Sequence, residues 1–147
     1  MTVDVSTEII VQRPREVVAG YAADPDNAPE WYVNIKAVEW KSQPPLRAGS
    51  TLAFVAQFMG RRLKYTYVVG ELIPGERLVM RTSDGPFPME TSYLWEDAAE
   101  GGTRMVLRNR GDPAGLFGLL TPLLASAMRR ANRKDLDRLR TILEEPA

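Results

Sequence analysis

Five turn-forming stretches between residues 44 and 102 constrain the fold of this chain more than any other feature. Each contains glycine or proline, sometimes beside aspartate or serine, and these residues reverse the direction of an extended chain. The segments between the turns are rich in β-branched and aromatic residues, which is typical of strands. The spacing therefore predicts six consecutive strands, at about residues 34–42, 50–58, 62–73, 76–83, 88–96 and 103–110.

The segments before and after these strands complete the architecture. The sequence VDVSTEIIV, residues 3–11, alternates and predicts a first strand, with Val3, Val5, Thr7 and Ile9 facing inward. Two short helices are predicted between residues 14 and 31, and Pro14 is placed at the first helical position. We expect a single α+β domain over residues 1–147, with the order β-α-α-β-β-β-β-β-β-α.

The last predicted helix has two different halves. Asp112 is a suitable N-cap and Pro113 a suitable first helical residue, so we expect the helix to run from there to about Glu144. Pro122 should kink or interrupt it, because proline lacks an amide hydrogen. Residues 113–128 carry no charge, whereas the remainder is densely charged. Beyond Pro122 the apolar positions form one helical stripe, which we expect to pack on the sheet: Leu124, Met128, Ala131, Leu136, Leu139 and Leu143.

Hairpin geometry predicts which strand side chains share the face that the helix covers. A two-residue turn at Gly60-Arg61 would place Phe54 opposite Tyr67, and a turn at Pro74-Gly75 would place Tyr67 opposite Thr82. For the last hairpin we place Trp95 opposite Thr103. The resulting inner face has no charged residue, and it fits either a packed core or an apolar pocket with a few hydroxyl donors. Its members are Leu52, Phe54, Phe58, Leu63, Tyr65, Tyr67, Val69, Leu78, Met80, Met89, Tyr93, Trp95, Met105 and Leu107.

Composition excludes several kinds of chemistry. The chain has no cysteine and no histidine, which excludes disulfides, thiolate nucleophiles and Ser–His catalysis. Nineteen basic and nineteen acidic residues cancel, so nothing suggests nucleic acid as a partner. We expect no metal and no cofactor. The longest uncharged stretch is too short for a membrane span of about 20 residues, and without a recognisable signal peptide we expect a cytoplasmic protein.

Four short motifs are spread over nearly the whole chain. They mark the start of the first helix, the segment after it, the last hairpin turn and the end of the last helix. They are Pro–x–x–Val (Pro14, Val17), Asp–Pro…Pro–x–Trp (Asp24, Pro25, Pro29, Trp31), Gly–Gly–Thr (Gly101, Gly102, Thr103) and Asp–Leu–x–x–Leu (Asp135, Leu136, Leu139).

With these motifs the chain resembles the polyketide cyclase/dehydrase and lipid-transport family, which belongs to the START-like (SRPBCC) superfamily. The resemblance implies a helix-grip fold of the START/Bet v 1-like type, in which a seven-stranded antiparallel sheet wraps a long C-terminal helix around a hydrophobic cavity. The uncharged half of that helix would then cover the cavity. The residues that we expect to contact a ligand are Trp31, Phe54, Phe58, Tyr65, Tyr67, Met80, Met89, Thr91, Tyr93, Met105, Leu116, Leu120 and Leu124.

Three functions fit these expectations. The first is binding or carriage of a hydrophobic small molecule in the cavity. The second is a polyketide cyclase/dehydratase-like enzyme, which would need a general base. Glu30 and Asp24 are candidates at the mouth, Glu8 is one if the first strand is reversed, and no catalytic residue is assigned. The third is a protein-interaction module, and the formation of a homodimer is left open.

Overall fold

Seven strands form one antiparallel sheet in the order β1-β7-β6-β5-β4-β3-β2, in which consecutive strands pair from β2 to β7 and β1 pairs with β7. The computed structural model describes residues 2–58, 60–85, 87–113 and 116–145, without the side chains of Phe58, Leu116 and Phe117. The strands are β1 (Val3–Val11), β2 (Ile35–Trp40), β3 (Thr51–Phe58), β4 (Arg61–Ile73), β5 (Arg77–Asp84), β6 (Met89–Asp97) and β7 (Thr103–Gly111).

Helices cover the concave face of this sheet. Helix α1 (Arg15–Ala23), a 3-10 turn (Pro25–Asn27) and α2 (Ala28–Trp31) connect β1 to β2. Helices α3 (Leu116–Leu119) and α4 (Thr121–Glu144) follow β7. The order of strands and helices agrees with the prediction, and the predicted inward positions of β1 are confirmed by its strictly alternating burial.

Two of the three predicted hairpin registers are wrong by two residues. In the structure Phe54 lies opposite Tyr65, because Arg61 already belongs to β4 and the turn is formed one residue earlier, with Gly60 at φ 75°. Trp95 lies opposite Met105, because a short helical turn at Ala99–Gly101 lengthens the last loop. A shift of two residues leaves every side chain on its predicted face. The pairing of Tyr67 with Thr82 is confirmed.

The predicted start of the C-terminal helix is also wrong. Asp112 and Pro113 precede the helices, and residues 114 and 115 lie outside the described residues. Of the two effects predicted for Pro122, the structure shows the interruption and not a kink, because the helix breaks at Leu120 and α4 begins at Thr121 with Pro122 in its first turn. The first-turn amides of a helix have no partner within the helix, so proline costs nothing there. Pro14 likewise caps α1 from outside instead of forming its first residue.

The core lies between α4 and the inner face of the sheet. The predicted apolar stripe of α4 is confirmed, since all its members are buried except the half-buried Ala131. Trp31, Trp95 and Met105 fill the space beside the C-terminal part of α4 and are at most 2% exposed. Two polar residues interrupt the stripe, because Asn132 and Asp135 are buried on the same side of the helix.

Candidate functional site

A cavity of about 150 Å³ separates the N-terminal half of α4 from the sheet. Two alanines face it, Ala56 on β3 and Ala131 on α4, and their short side chains leave space that larger ones would fill. The rest of the wall is mainly apolar and aromatic, which is the usual character of a small-molecule pocket. The lining residues are Tyr32, Asn34, Ile35, Phe54, Ala56, Leu63, Tyr65, Tyr67, Met80, Phe87, Met89, Thr91, Tyr93, Asn109, Leu124, Met128, Ala131, Asn132 and Asp135.

A chain of three polar side chains crosses the sheet wall of the cavity. The Thr91 hydroxyl donates to Asn109 Oδ1 at 2.8 Å, so its oxygen is left to accept from the Tyr67 hydroxyl at 3.2 Å. Burial raises the pKa of Tyr67 to about 12, although the hydrogen bond to Thr91 works in the opposite direction. The hydroxyl therefore stays protonated at neutral pH. These three groups mainly satisfy one another, as buried polar groups require.

A second pair of hydroxyls joins the helical layer to the sheet. Tyr32, which directly follows α2, and Tyr93 of β6 are hydrogen-bonded with their oxygens 2.5 Å apart. Burial raises the pKa of both phenols. Only one of the two hydroxyl hydrogens lies between the oxygens, so the other is left to donate to another group.

The helix wall of the cavity supplies a buried carboxyl group. Asp135 is 2% exposed, and its Oδ1 accepts the backbone N–H of Val33 at 2.8 Å. Burial raises its pKa to about 7, although that hydrogen bond and the charge of Arg138 act to lower it. Desolvation penalises the ionised carboxylate more than these two partners stabilise it. The group is therefore poised to exchange a proton near neutral pH.

Asn132 lies almost one turn before Asp135 and completes this polar side of the cavity. Its side chain is 5% exposed, and its Nδ2 has no hydrogen-bond partner in the described part of the chain. Residues three apart on a helix are neighbours on its surface, so the amide and the carboxyl lie side by side. A buried amide nitrogen without a partner costs free energy, and a ligand acceptor atom would recover it.

The structure places the predicted ligand-contact residues in three groups. Eight of them line the cavity: Phe54, Tyr65, Tyr67, Met80, Met89, Thr91, Tyr93 and Leu124. Three do not line it, because Trp31 and Met105 are enclosed by the core and Leu120 is 46% exposed at the junction of α3 and α4. The side chains of Phe58 and Leu116 lie outside the described part of the structure.

The three acidic residues considered as bases do not line the cavity. Glu30 accepts a hydrogen bond from the Tyr21 hydroxyl at 2.5 Å near the surface. Asp24 caps the 3-10 turn by accepting from the Asp26 amide at 3.0 Å. Glu8 lies on the exposed face of β1 and pairs with Arg104. Glu30 therefore makes a surface hydrogen bond, Asp24 caps a helical turn, and Glu8 lies on the outward face of a strand.

The sequence interpretation missed five polar residues that line the cavity: Tyr32, Asn34, Asn109, Asn132 and Asp135. A signal for two of them was present, because Met128, Asn132, Asp135 and Leu139 follow the helical spacing of the apolar stripe. Polar residues within an apolar stripe mark buried positions that need partners. For Asn109 the signal was the alternation along β7, because Asn109 follows the inward-facing Leu107 by two residues, and the structure sets it opposite Thr91.

Two other kinds of feature to consider are a metal site and a membrane-spanning helix. Within residues 2–58, 60–85, 87–113 and 116–145, no group of three acidic side chains is arranged to hold a metal ion. Of the helices that the structure describes, none is long and apolar enough to cross a membrane.

Comparison with known proteins agrees with this arrangement of sheet, helix and cavity. The family model described as "Polyketide cyclase / dehydrase and lipid transport" matches residues 2–144. The chain therefore belongs to the polyketide cyclase/dehydrase and lipid-transport family, and its fold is the helix-grip fold of START and Bet v 1-like proteins. A search of curated protein sequences gives no match.

Three solved structures illustrate the similarity in fold. The protein TTHA0849 from Thermus thermophilus is 21% identical, with a TM-score of 0.83 over 95% of this chain and 96% of its own. The Zhui aromatase/cyclase from Streptomyces sp. R1128 is 16% identical, with a TM-score of 0.84 over 98% and 94%. A START superfamily protein from Mycobacterium smegmatis is 14% identical, with a TM-score of 0.83 over 96% and 97%. At these identities the likeness concerns the fold alone.

Proposed function

We propose that this protein binds a hydrophobic small molecule in the cavity between the sheet and α4. The observation that carries the proposal is an apolar, aromatic-lined cavity whose lining residues include Asn132, with a buried and unpartnered donor at Nδ2. Ligand pockets typically combine such a wall with a few polar groups that set the orientation of the ligand. The family description, which includes both cyclases and lipid transport, is consistent with this function.

The size of the cavity limits what enters without rearrangement. Its volume of about 150 Å³ is similar to that of engineered apolar cavities that hold one benzene molecule. A ligand of one or two small rings fits this scale. A larger polycyclic ligand would require α3 and the first turn of α4 to move away from the sheet.

A pair of matched probes tests the proposal. Indane and 1-indanone share one bicyclic skeleton, and only the ketone carries an acceptor oxygen. We expect both to bind, as measured by chemical-shift titration. Ala131→Leu should weaken both at least tenfold by filling the cavity, whereas Ser126→Leu, on an exposed position of the same helix, should leave both unchanged. Failure of both probes to bind the wild-type protein would contradict the proposal.

The same probes test the role of Asn132. The near-isosteric variant Asn132→Leu removes the donor, so it should lose about tenfold in the preference for ketone over hydrocarbon, the effect of one hydrogen bond. Met128→Leu serves as the control, because it alters the cavity wall one turn away without changing a polar group. It should affect the two probes alike.

A second candidate function is favoured by Asp135. A buried carboxyl group whose pKa is about 7 can take a proton from a carbon next to a ligand carbonyl, and hydrogen-bond donors nearby stabilise the enolate that forms. That is the first step of an aldol-type cyclisation, and it would make the protein a cyclase/dehydratase-like enzyme. Asp135 would be the base, and Asn132 or the Tyr32–Tyr93 pair would be the donor.

Exchange of the ketone's α-hydrogens with solvent separates the two candidates. In deuterated water, an enzyme of this kind should accelerate deuterium incorporation into 1-indanone, with a rate that rises with pH through about 7. Asp135→Asn should abolish the acceleration while the ketone still binds. Binding without any acceleration in the wild-type protein would leave carriage as the function and contradict catalysis.

A further inference from the structure

Three leucines at the start of the C-terminal helices are exposed to solvent. Leu119, Leu120 and Leu123 are 80%, 46% and 53% exposed, and they lie within five consecutive residues. Among the described residues, the other large hydrophobic side chains with comparable exposure are Ile10 and Ile73, which stand singly on strands far apart in the sequence. Single exposed apolar residues are common, whereas a cluster indicates an interaction surface.

This leucine surface directly precedes the first residue of α4 that lines the cavity. Leu123 directly precedes Leu124, which lines the cavity and packs against Phe87, Val3 and Val5. Phe87 lies in the loop between β5 and β6, and Val3 opens β1 at the edge of the sheet. The leucines therefore project outward at the end of the sheet where its loops and the start of α4 enclose the cavity.

Positive charge flanks the leucine surface. Arg129 and Arg130 are exposed on α4 within two turns of Leu123, and no acidic residue occurs between Asp112 and Asp135. Arg61 and Arg62 are exposed at the start of β4, next to the cavity-lining Leu63. Acidic groups also lie at this end: Asp84 at the end of β5, Asp112, which accepts a hydrogen bond from Thr2 at 3.0 Å, and Asp4 and Glu90, which pair with arginines on the outer face of the sheet. With the arginines of those pairs included, the cations outnumber them.

We propose that the leucine surface docks on the headgroup region of an anionic lipid bilayer. Exposed leucines next to arginines are the combination that binds such membranes, because apolar side chains enter the boundary of the acyl chains while cations contact anionic headgroups. Docking there brings the end of α4 that lines the cavity close to the lipid, where apolar ligands dissolve.

Vesicle sedimentation tests the proposal. The probes are vesicles of phosphatidylcholine alone and vesicles that contain 30% phosphatidylglycerol, at about 0.1 M salt. The wild-type chain should bind the anionic vesicles and lose most of that binding at high salt, because screening weakens the attraction of the arginines. The double variant Leu119→Ser/Leu123→Ser should bind at least tenfold more weakly. No binding of the wild-type chain to anionic vesicles overturns the proposal.

Matched variants make the result specific. Ile10→Ser/Ile73→Ser removes two exposed apolar side chains elsewhere, so it should bind vesicles like the wild type. Arg129→Glu/Arg130→Glu should lose binding to anionic vesicles, since two charges that attract headgroups then repel them. Equal losses in the leucine and isoleucine variants, or no loss in the arginine variant, would overturn the proposal.

Further measurements distinguish membrane docking from misfolding of the variant and from self-association. The far-UV circular dichroism spectrum and the thermal unfolding temperature of the leucine variant should match those of the wild type, which shows that its fold is intact without relying on the proposed ligand site. If size-exclusion chromatography shows a wild-type homodimer that the leucine variant breaks, a second copy covers the surface and the proposal is overturned.

Discussion

The two ends of α4 meet the same sheet in opposite ways. At the closed end, which we define by Trp31, Trp95, Met105, Leu136 and Leu139, side chains from the helix, the sheet and α2 are at most 2% exposed, and Trp95 also borders a separate groove that lies beside α1. At the open end, from Thr121 to Asn132, the helix faces a cavity on one side and exposes Leu123 on another. One helix therefore contributes both to a closely packed core and to the wall of a cavity.

The difference follows from what fills the space between helix and sheet. Trp31 and Trp95 occupy the closed end, whereas Ala56 of the sheet and Ala131 of the helix line the cavity at the open end. Protein interiors normally pack without voids larger than a water molecule, so a cavity is a local loss of contacts. We infer that close packing at the closed end stabilises the fold and that looser packing at the open end leaves the space of the cavity.

The largest expected effect comes from shortening one apolar side chain of α4 at each end. Leu139→Ala should lower the free energy of unfolding by about 4 kcal/mol, because it opens a void where nothing can collapse. Met128→Ala should cost roughly 2 kcal/mol, since Met128 already borders the cavity. Urea unfolding of the two variants measures the difference. Equal costs would mean that the two ends are packed alike.

The next largest effect concerns Asp135 and pH. Its folded-state pKa of about 7 is above the usual value near 3.8, so between these pH values the folded protein keeps a proton that the unfolded chain releases. The free energy of unfolding therefore falls as pH rises through this window, by on the order of a few kcal/mol. Asp135→Asn keeps an acceptor for the Val33 amide and does not titrate.

We therefore expect Asp135→Asn to match the wild type near pH 4 and to exceed its stability at pH 8. Urea unfolding at both pH values measures this. Asp135→Leu provides the control, because it loses the acceptor and should be destabilised relative to Asp135→Asn at both pH values. A constant difference between wild type and Asp135→Asn across the range would show that the carboxyl is ionised throughout.

The smallest expected effect concerns the hydrogen-bonded chain at the open end. Thr91→Val leaves the Tyr67 hydroxyl and Asn109 Oδ1 without their shared partner, and it should cost roughly 1–2 kcal/mol. Thr91→Ser retains the hydroxyl and should cost less. Thermal unfolding of the two variants gives the comparison. A loss as large as that of Leu139→Ala would mean that the cavity wall is as important for stability as the closed end.

Some parts of the fold were predictable because they depend on periodicity. Alternation in the strands placed Tyr67, Met80 and Tyr93 on the inner face even where the predicted register was wrong. Helical spacing found the stripe of α4 for the same reason. A register error of two residues is invisible to such a pattern, so the error changed partners without changing faces.

Other parts were not predictable from local pattern. Pro122 is equally compatible with a kink and with a first turn, and only the break at Leu120 decides between them. Asp135 was grouped with the charged surface of the helix, although its spacing matched the buried stripe. Its burial depends on Val33, a residue 102 positions away in the sequence, whose amide it accepts.

The sequence alone determined the order of strands and helices, the inner and outer faces of the sheet and the absence of histidine and cysteine chemistry. These features follow from residue type and from periods of two and about 3.6 residues, which act over short stretches of chain. The tertiary structure decided where the cavity lies, which polar groups face it and which leucines remain exposed. Each of these depends on the volume left between side chains from distant segments. That volume is determined only when α4 packs on the sheet.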